Sequence, residues 1–268
     1  MHDIKSSVYL AAIRTYLRNI RSRKFEPEIL FLKNILSPGE NCLHIGASDA
    51  RHSYVMSGLI GSGHIYAFEP SSYSYHHLKL MIKLHRLKNI STYKYAVSDS
   101  EGTVTLIIPE KSTGHVGRSF AYITQDKSDC ASRKDIKSHK TKKEEVKSVS
   151  IDQFVSKHSI SKIDFIRCDT EGSEMLILNG GQETINKFKP NLLVEIHSHS
   201  LKDIFNCSAK EVAKFLFDLG YVMFREDFGK ITKVKSVNEK ENWKDYFFIH
   251  PERTKKLPKG PFRTFMSS

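Results

Sequence analysis

Short apolar runs alternate with stretches of helical periodicity along most of this chain, and that alternation restricts the fold more than any other feature. The apolar runs cover residues 42–45, 65–68, 91–97, 163–168 and 192–196. Between them, residues 75–85 and 212–219 place their apolar side chains at helical spacing. Strands that alternate with helices need crossover connections, which produce a parallel sheet. The sequence therefore predicts a mainly parallel α/β sheet with helices on both faces.

Further elements extend this core in both directions. Residues 8–20 predict an amphipathic basic helix that places Leu10, Ile13, Leu17 and Ile20 on one face. A second helix over residues 27–36 ends at the turn 37–39, and Ser208 with Glu211 forms a capping box before the 212–219 helix. Residues 222–225 and 246–250 predict two final strands. We expect an N-terminal helical extension over residues 1–36, one catalytic domain over 37–250 and a C-terminal tail over 251–268.

One long segment interrupts the alternation. After a predicted strand over residues 104–108, residues 111–145 are rich in Lys, Ser, Gly and Asp and show little periodicity, apart from a short strand predicted at 120–123. Loops of this length inside a compact domain are either functional or disordered. A mobile lid over a substrate and a plain insertion both fit the pattern.

The formal charge of +12 is concentrated in two segments. Residues 1–24 hold six Lys or Arg against one acid, and residues 111–147 hold ten against five. Basic segments attract polyanions, such as an anionic acceptor or an anionic lipid surface. The N-terminal helix could also contact a second subunit. The alternative is that both segments form a plain solvated surface. No motif of a nucleic-acid-binding module is present, so the charge predicts no specific nucleic-acid partner.

The remaining composition indicates a cytoplasmic protein. The longest apolar runs are far shorter than the roughly 20 residues that cross a bilayer, and the N-terminus lacks the pattern of a signal peptide. The four cysteines are scattered without a Cys-x-x-Cys pair, so neither a zinc site nor a disulfide framework is predicted.

The turn after the first predicted strand has the features of a ligand site. It reads His44-Ile45-Gly46-Ala47-Ser48, and the helix start that follows would present unpaired N–H groups to a carboxylate. Glu69 closes the next strand about 20 residues later, where an acid commonly accepts hydrogen bonds from ribose hydroxyls. The pair predicts a nucleoside-containing cofactor at the carboxyl end of the sheet.

The chain resembles the FkbM family of methyltransferases over residues 26–200. The resemblance rests on Ile45-Gly46-Ala47, Phe68-Glu69-Pro70, Ala96-Val97-Ser98-Asp99, the run from Ile163 to Glu174 with its Asp-x-Glu-Gly core, and Glu195-Ile196-His197. It implies a Rossmann-like sheet that binds S-adenosyl-L-methionine (SAM) and O-methylation of sugars or polyketide-type products. The implied SAM-binding residues are His44, Gly46, Ala47, Ser48, Glu69, Pro70, Ala96, Val97, Ser98 and Asp169.

Four residues are candidates for the chemistry. Asp169 is the first choice for a general base that removes the acceptor's hydroxyl proton, and His197 is the second, with Glu171 and Glu195 beside them. Glu195 and His197 lie two apart on a strand, so they face the same side. They could orient the acceptor, or they could bind a divalent metal together with Asp169 and His199. Alternatively, Glu195 pairs with Arg167 or Lys189 and His197 accepts a backbone hydrogen bond.

The chain departs from the family at three positions. The family usually has an acid where His44 stands, Asn where Ser48 stands and Gly where Ala50 stands. A catalytically degenerate methyltransferase fold that acts as a binding protein is therefore one alternative. An NAD-dependent Rossmann enzyme is another, although Gly46 supplies one of the three glycines that its first turn needs.

Overall fold

A computed structural model describes residues 2–22, 26–109, 121–124 and 141–267. The strands are β1 Asn41–Ile45, β2 His64–Phe68, β3 Ile90–Tyr93, β4 Ala96–Val97, β5 Gly102–Pro109, β6 Tyr122–Thr124, β7 Thr141–Val149, β8 Phe165–Cys168, β9 Asn191–His197, β10 Val222–Asp227, β11 Lys230–Val234 and β12 Trp243–Ile249. The helices are α1 His2–Ser22, α2 Pro27–Phe31, α3 Arg51–Ile60, α4 Ser72–Leu84, α5 Ile151–Lys157, α6 Glu174–Asn179, α7 Gln182–Phe188, α8 Ser198–Phe205, α9 Ala209–Asp218 and α10 Pro261–Ser267. Two 3-10 helices cover Leu32–Asn34 and Pro251–Lys256.

The main sheet has eight strands in the order β11-β10-β12-β9-β8-β1-β2-β3. The five strands from β9 to β3 are parallel, and β12, β10 and β11 continue the sheet with antiparallel pairing. This confirms the predicted α/β sheet and its two final strands. β11 is an additional edge strand that the apolar pattern did not indicate, because its residues are mostly polar.

The two faces of the main sheet carry separate cores, which follow from the alternation of side chains along each strand. In β1, Leu43 and Ile45 belong to the cluster that also contains Phe154. Cys42, on the opposite face, belongs to the cluster that contains Met56. Helices therefore cover both faces, as the parallel topology requires.

A second sheet, in the order β4-β7-β5-β6, was not predicted. The run over residues 91–97 divides into β3 and β4, and these two strands join different sheets. The short strand expected at 120–123 is present as β6, and residues 141–145 of the expected loop belong to β7. The rest of the segment predicted as a lid or an insertion, residues 111–120 and 125–140, lies outside the described residues.

Helix α1 is present as predicted, and it buries a face that the prediction did not name. Its buried side chains include Val8 and Ala12, whereas Leu10, Ile13 and Leu17 remain exposed. The side chain of Ile20 lies outside the described residues. Within the described part of the chain, the predicted apolar face therefore stays exposed at these three residues.

The C-terminal segment packs against the main sheet. Phe262 of α10 is fully buried and meets Phe224 and Phe247 of the main sheet. Arg253 donates a hydrogen bond to Asp164 at 2.6 Å. The helices of the described part of the chain include none with the length and apolar character needed to span a bilayer.

Candidate active site

The carboxyl ends of β1, β2, β8 and β9 surround a cavity of about 380 Å³. Parallel strands bring their carboxyl ends to one edge of a sheet, so residues far apart in sequence meet there. The predicted residues on the wall of this cavity are Gly46, Ala47, Ser48, Glu69, Pro70, Ala96, Val97, Asp169, Glu171, Glu195 and His197. The fold therefore brings the predicted cofactor turn and the predicted catalytic residues into one space.

Gly46 allows the first turn to approach the end of β8. Its φ is +80°, and a Cβ added there would lie 1.8 Å from the carbonyl oxygen of Asp169. The N–H groups of Gly46 and Ala47 both donate to the carbonyl of Phe68. A side chain at position 46 would force β1 and β8 apart, so glycine fixes the spacing of the cavity floor.

The N–H groups of the turn itself are engaged. Besides those of Gly46 and Ala47, the N–H of Ser48 donates to Glu69 Oε2 at 3.0 Å. Phe68, at the end of β2, and Glu69, directly after it, accept these hydrogen bonds, which hold the turn in place. The donors expected for a carboxylate are those at the start of the following helix, α3, and they stay a prediction.

Glu69 is fixed by two backbone donors. Its Oε2 accepts from Ser48 and its Oε1 accepts from Ser71 N–H at 3.0 Å. Burial raises the pKa of Glu69 to about 7, although both hydrogen bonds favour the charged form. Each carboxylate oxygen retains a further lone pair, so the group can still accept hydrogen bonds from a ligand.

Asp169 lies opposite, at the end of β8, and keeps a third of its side chain exposed. Arg167, which is buried, donates to Asp169 Oδ2 at 3.2 Å and to Asp245 Oδ1 at 2.5 Å. Burial and the nearby Glu195 carboxylate outweigh Arg167 and raise the pKa of Asp169 to about 7. A carboxyl group with this pKa exchanges a proton readily near neutral pH.

His197 lies between two carboxylates. Its Nε2 is 2.8 Å from Glu195 Oε2, and its Nδ1 is 3.4 Å from Glu171 Oε2. Burial opposes protonation of the ring, but Glu195, Glu171 and Glu174 together outweigh it and raise the pKa of His197 to about 10. The side chain is therefore an imidazolium near neutral pH; its Nε2 donates a hydrogen bond to Glu195, and its Nδ1 lies at ion-pair distance from Glu171.

This arrangement excludes the alternative partners considered for Glu195. Arg167 pairs with the two aspartates, and Lys189 pairs with Glu252. The imidazole of His197 bonds to carboxylates and not to the backbone. Asp169, Glu195 and His197 each place one atom within 4.8 Å of the others, which is a separation that metal ligands can have. His199, the fourth ligand considered, is not part of that group.

Two of the predicted cofactor residues do not reach the cavity. His44 is buried on the opposite face of β1, where its Nδ1 is 2.6 Å from Ser53 Oγ. Ser98 is buried behind β4, and its N–H donates to the carbonyl of Val149. The replacement of the family's acid by His44 therefore changes the packing beneath the turn and not the wall of the cavity.

The wall also contains residues that the sequence did not single out. Leu106, Ala121 and Ile123 of the second sheet cover one side, and Tyr95 lies next to them. Trp243, the chain's single tryptophan, stands at the rim and is 55% exposed. An isolated large aromatic next to polar residues was the one signal that could have indicated Trp243; the others depend on tertiary packing.

Two of the departures from the family lie at positions of positive φ. Ser48 has φ of +40° and Ala50 has φ of +64°. Asn and Gly adopt this left-handed region at lower cost than Ser and Ala. Ser48 and Ala50 therefore hold this turn at a higher backbone cost than Asn and Gly would.

Comparison with solved structures gives distant similarity only. The FkbM methyltransferase from Methylobacillus flagellatus KT is 14% identical, with a TM-score of 0.47, and the match covers 84% of this chain and 50% of that one. The present chain thus spans half the length of that protein. A SAM-dependent methyltransferase from Aquifex aeolicus is 14% identical over 84% and 90% of the two chains, with a TM-score of 0.43. Fibrillarin from Aeropyrum pernix with natively bound SAM is 15% identical over 83% and 73%, with a TM-score of 0.43.

The sequence family gives a direct assignment. No curated protein matches the chain. The model of the methyltransferase FkbM domain, however, matches residues 44–223, which is about two thirds of the chain and includes the first turn, Glu69, Asp169 and the Glu195–His197 pair. The chain belongs to the FkbM methyltransferase family.

Proposed function

We propose that this protein transfers the methyl group of SAM to a hydroxyl oxygen of a sugar or a similarly polar acceptor. The observation that carries the proposal is the position of Asp169. It faces the same cavity as Gly46 and Glu69, it is partly exposed, and its pKa is about 7. A hydroxyl oxygen must lose its proton when it accepts a methyl group, and Asp169 is placed to receive it.

The charge of the cavity suits SAM. Its wall carries one arginine, Arg51, and the His197 imidazolium against six acidic residues, Glu26, Asp49, Glu69, Asp169, Glu171 and Glu195. An excess of carboxylates favours a cationic ligand over an anionic one. When bound, SAM supplies a methyl group on a positively charged sulfur, so no further activation of the donor is needed. Glu69 is the residue that we assign to the ribose hydroxyls.

Asp169 is preferred over His197 as the base for a physical reason. His197 already carries its proton near neutral pH, so it cannot accept another. We assign it the role of a positioning residue: its two N–H groups hold Glu195 and Glu171 in place beside the acceptor. The oxygen of the acceptor attacks the methyl carbon as the carbon–sulfur bond breaks, and the hydroxyl proton passes to Asp169.

The cluster of Asp169, Glu195 and His197 is a poor fit for the metal that we considered. The spacing is suitable, but Glu195 and Glu171 bind the ring nitrogens, and Arg167 binds Asp169. The cations of Arg167 and His197 already pair with these three carboxylates. A metal would have to displace the proton of His197, which these carboxylates stabilise.

The acceptor that we propose is neutral and rich in hydroxyl groups. The basic segment 111–145 suggested an anionic acceptor, but the described wall of the cavity is acidic and would repel one. Much of that segment lies outside the described residues. The sugar itself comes from the family resemblance, and Trp243 at the rim supplies an aromatic surface of the kind that stacks on sugar rings.

Calorimetric titration with SAM, with its demethylated product and with NAD tests the proposal. We expect one SAM per chain, tight binding of the product, the same affinity with EDTA present, and no heat with NAD. A folded protein that binds neither SAM nor its product would contradict the proposal and would support a degenerate fold. Heat with NAD alone would indicate an oxidoreductase. If SAM binds, hydroxylated glycans are then screened as acceptors.

Glu69→Gln is expected to weaken SAM binding by about 10- to 100-fold, because a hydrogen bond to a charged group contributes roughly 1.5 to 3 kcal/mol. The amide keeps the volume of the side chain but places a donor against either Ser48 or Ser71. The dissociation constant for SAM is measured by calorimetry. Glu101→Gln, at an exposed residue that pairs with Lys157, serves as the control and should bind as tightly as the parent. Unchanged affinity in Glu69→Gln would show that the ribose lies elsewhere.

The pH dependence follows from the base. Asp169 acts only when it is deprotonated, and its pKa is about 7. We therefore expect kcat/KM for SAM to be level above about pH 8 and to fall at least tenfold per pH unit well below pH 7, because Glu69, whose pKa is also about 7, is protonated in the same range. A profile that stays level down to pH 5 would exclude a base with this pKa.

We propose that the exposed apolar residues of α1 attach the protein to an anionic membrane surface. Leu10, Ile13 and Leu17 are exposed on the same helix as Arg14 and Arg18, and this combination is typical of helices that lie on membranes. Leu10→Ser with Ile13→Ser is expected to reduce sedimentation with phosphatidylserine-containing vesicles at least tenfold. A dimer in size-exclusion chromatography that this double variant disrupts would instead identify a second copy as the partner.

A further inference from the structure

A second cavity of about 280 Å³ lies next to the one described above and shares Asp169 and Glu195 with it. Its lining includes Glu26, the first two residues of α2 and the first two residues of α3. Six acidic residues line it: Glu26, Glu28, Asp169, Glu195, Glu226 and Asp245. Such a concentration of carboxylates needs cations nearby, because like charges at close range destabilise one another.

The basic residues of this cavity are already paired. Arg51 binds Glu26 and Asp49, Arg167 binds Asp169 and Asp245, and Lys244 lies 3.6 Å from Asp227. Three cations therefore face six carboxylates. The cavity keeps an excess of negative charge that these three cations do not compensate.

His52 is the residue that points to a ligand. It is 91% buried, since 9% of its surface is exposed, and it faces the cavity. Its Nε2 has no hydrogen-bond partner and lies 3.5 Å from Glu28 Oε1. A buried imidazole nitrogen without a hydrogen-bond partner is costly. Imidazole nitrogens are common ligands of divalent metal ions.

Glu26 provides a second buried polar atom without a hydrogen-bond partner. Its Oε1 accepts from Arg51, whereas its Oε2 is buried and has no partner. Together, Glu26, Glu28 and His52 each offer one ligand atom, and the three atoms lie within 4.8 Å of one another. Two carboxylate oxygens and one imidazole nitrogen suit first-row divalent cations.

We propose that Glu26, Glu28 and His52 bind one divalent cation of the Mn²⁺ to Zn²⁺ class in this cavity. Three protein ligands leave coordination positions open on the cavity side, and a space of about 280 Å³ has room for the water molecules that complete the shell. The cation would offset the excess of carboxylates beside Asp169 and Glu195.

Comparison with the cluster of Asp169, Glu195 and His197 supports a cation site at His52. In that cluster, both nitrogens of His197 contact carboxylates, and Asp169 is bound by Arg167. At His52, the nitrogen that faces the acids has no hydrogen bond. Both clusters combine two carboxylates with one imidazole, but among the described residues only the one at His52 has buried ligand atoms without a hydrogen-bond partner.

Titration with Mn²⁺, followed by the loss of the free-ion electron paramagnetic resonance signal, tests the proposal without reference to methyl transfer. We expect one Mn²⁺ per chain in the unaltered protein. Glu26→Gln, Glu28→Gln and His52→Gln are each expected to raise the dissociation constant for Mn²⁺ at least tenfold. Glu26 is partly exposed, so its variant keeps the test valid if the two buried variants fail to fold.

Two variants serve as controls. Asp49→Asn removes a partner of Arg51, as Glu26→Gln does, but it removes no proposed ligand, and it should change the dissociation constant less than about threefold. His197→Gln alters the other cluster and should also leave Mn²⁺ bound. Absence of Mn²⁺ binding by the folded protein would overturn the proposal. Binding that is lost in His197→Gln and kept in Glu26→Gln would equally overturn it.

Discussion

Asp169→Asn is expected to lower kcat at least a hundredfold while the dissociation constant for SAM changes less than about threefold. General base catalysis contributes roughly 10²- to 10⁴-fold to a rate, and an amide cannot accept the hydroxyl proton. The shape of the side chain is retained, and its oxygen can still accept from Arg167, so the cavity should keep its structure. The loss should appear in single-turnover experiments with saturating SAM.

A matched variant distinguishes the role of Asp169 from a general effect of removing an ion pair. Asp227 also pairs with an arginine, Arg225, but it lies away from the site. Asp227→Asn should keep full turnover. If Asp169→Asn is as active as Asp227→Asn, the base is a different residue, and the proposed reaction loses its main support even if SAM binds.

The convergence of the site could be predicted from sequence, because it depends on topology alone. Once the strands ending at Ile45, Phe68, Cys168 and His197 are recognised as parallel, their carboxyl ends must meet at one edge of the sheet. The residues that follow or end them are the ones found on the cavity wall. The period of two in β9 likewise placed Glu195 and His197 on one side.

The position of His44 could also have been obtained from the strand pattern. Side chains alternate along a strand, so His44 shares a face with Cys42, and Cys42 packs in the core that contains Met56. The family motif drew attention to this residue and outweighed the periodicity. For His44, the alternation of side chains along the strand describes the structure better than the family resemblance does.

The electrostatics of the site could not be predicted from the total charge. The chain carries +12, yet acids outnumber bases around both cavities. Net charge sums over segments that lie far apart in the fold, whereas the potential in a cavity depends on the few groups around it. The protonation of His197 and the pairing of Arg167 with Asp245 depend on contacts between β8, β9 and β12 that no local pattern encodes.

Arg167→Met is expected to have the largest effect on stability, with a decrease of about 3 to 5 kcal/mol in the free energy of unfolding. The guanidinium is 2% exposed and lies between Asp169 and Asp245, which is also largely buried. Methionine fills much of the space but leaves both carboxylates without a cation. Urea denaturation measures the change. The partly exposed pair of Arg225 and Asp227 gives the control, since Arg225→Met should cost no more than about 1 kcal/mol.

The double variant Arg167→Met with Asp245→Leu shows whether the lost stability comes from unpaired buried charge or from lost packing of the Arg167 side chain. Asp245 would no longer be a buried charge without a partner, so part of the lost stability should return, and the double variant should be more stable than Arg167→Met alone. Asp169 would remain unpaired in both variants. Its pKa should therefore rise above 7, and the fall of kcat/KM on acidification should begin at higher pH in the double variant than in the parent. If the double variant is the less stable of the two, Arg167 acts through packing and not through its charge, and the electrostatic explanation for the pKa of Asp169 fails with it.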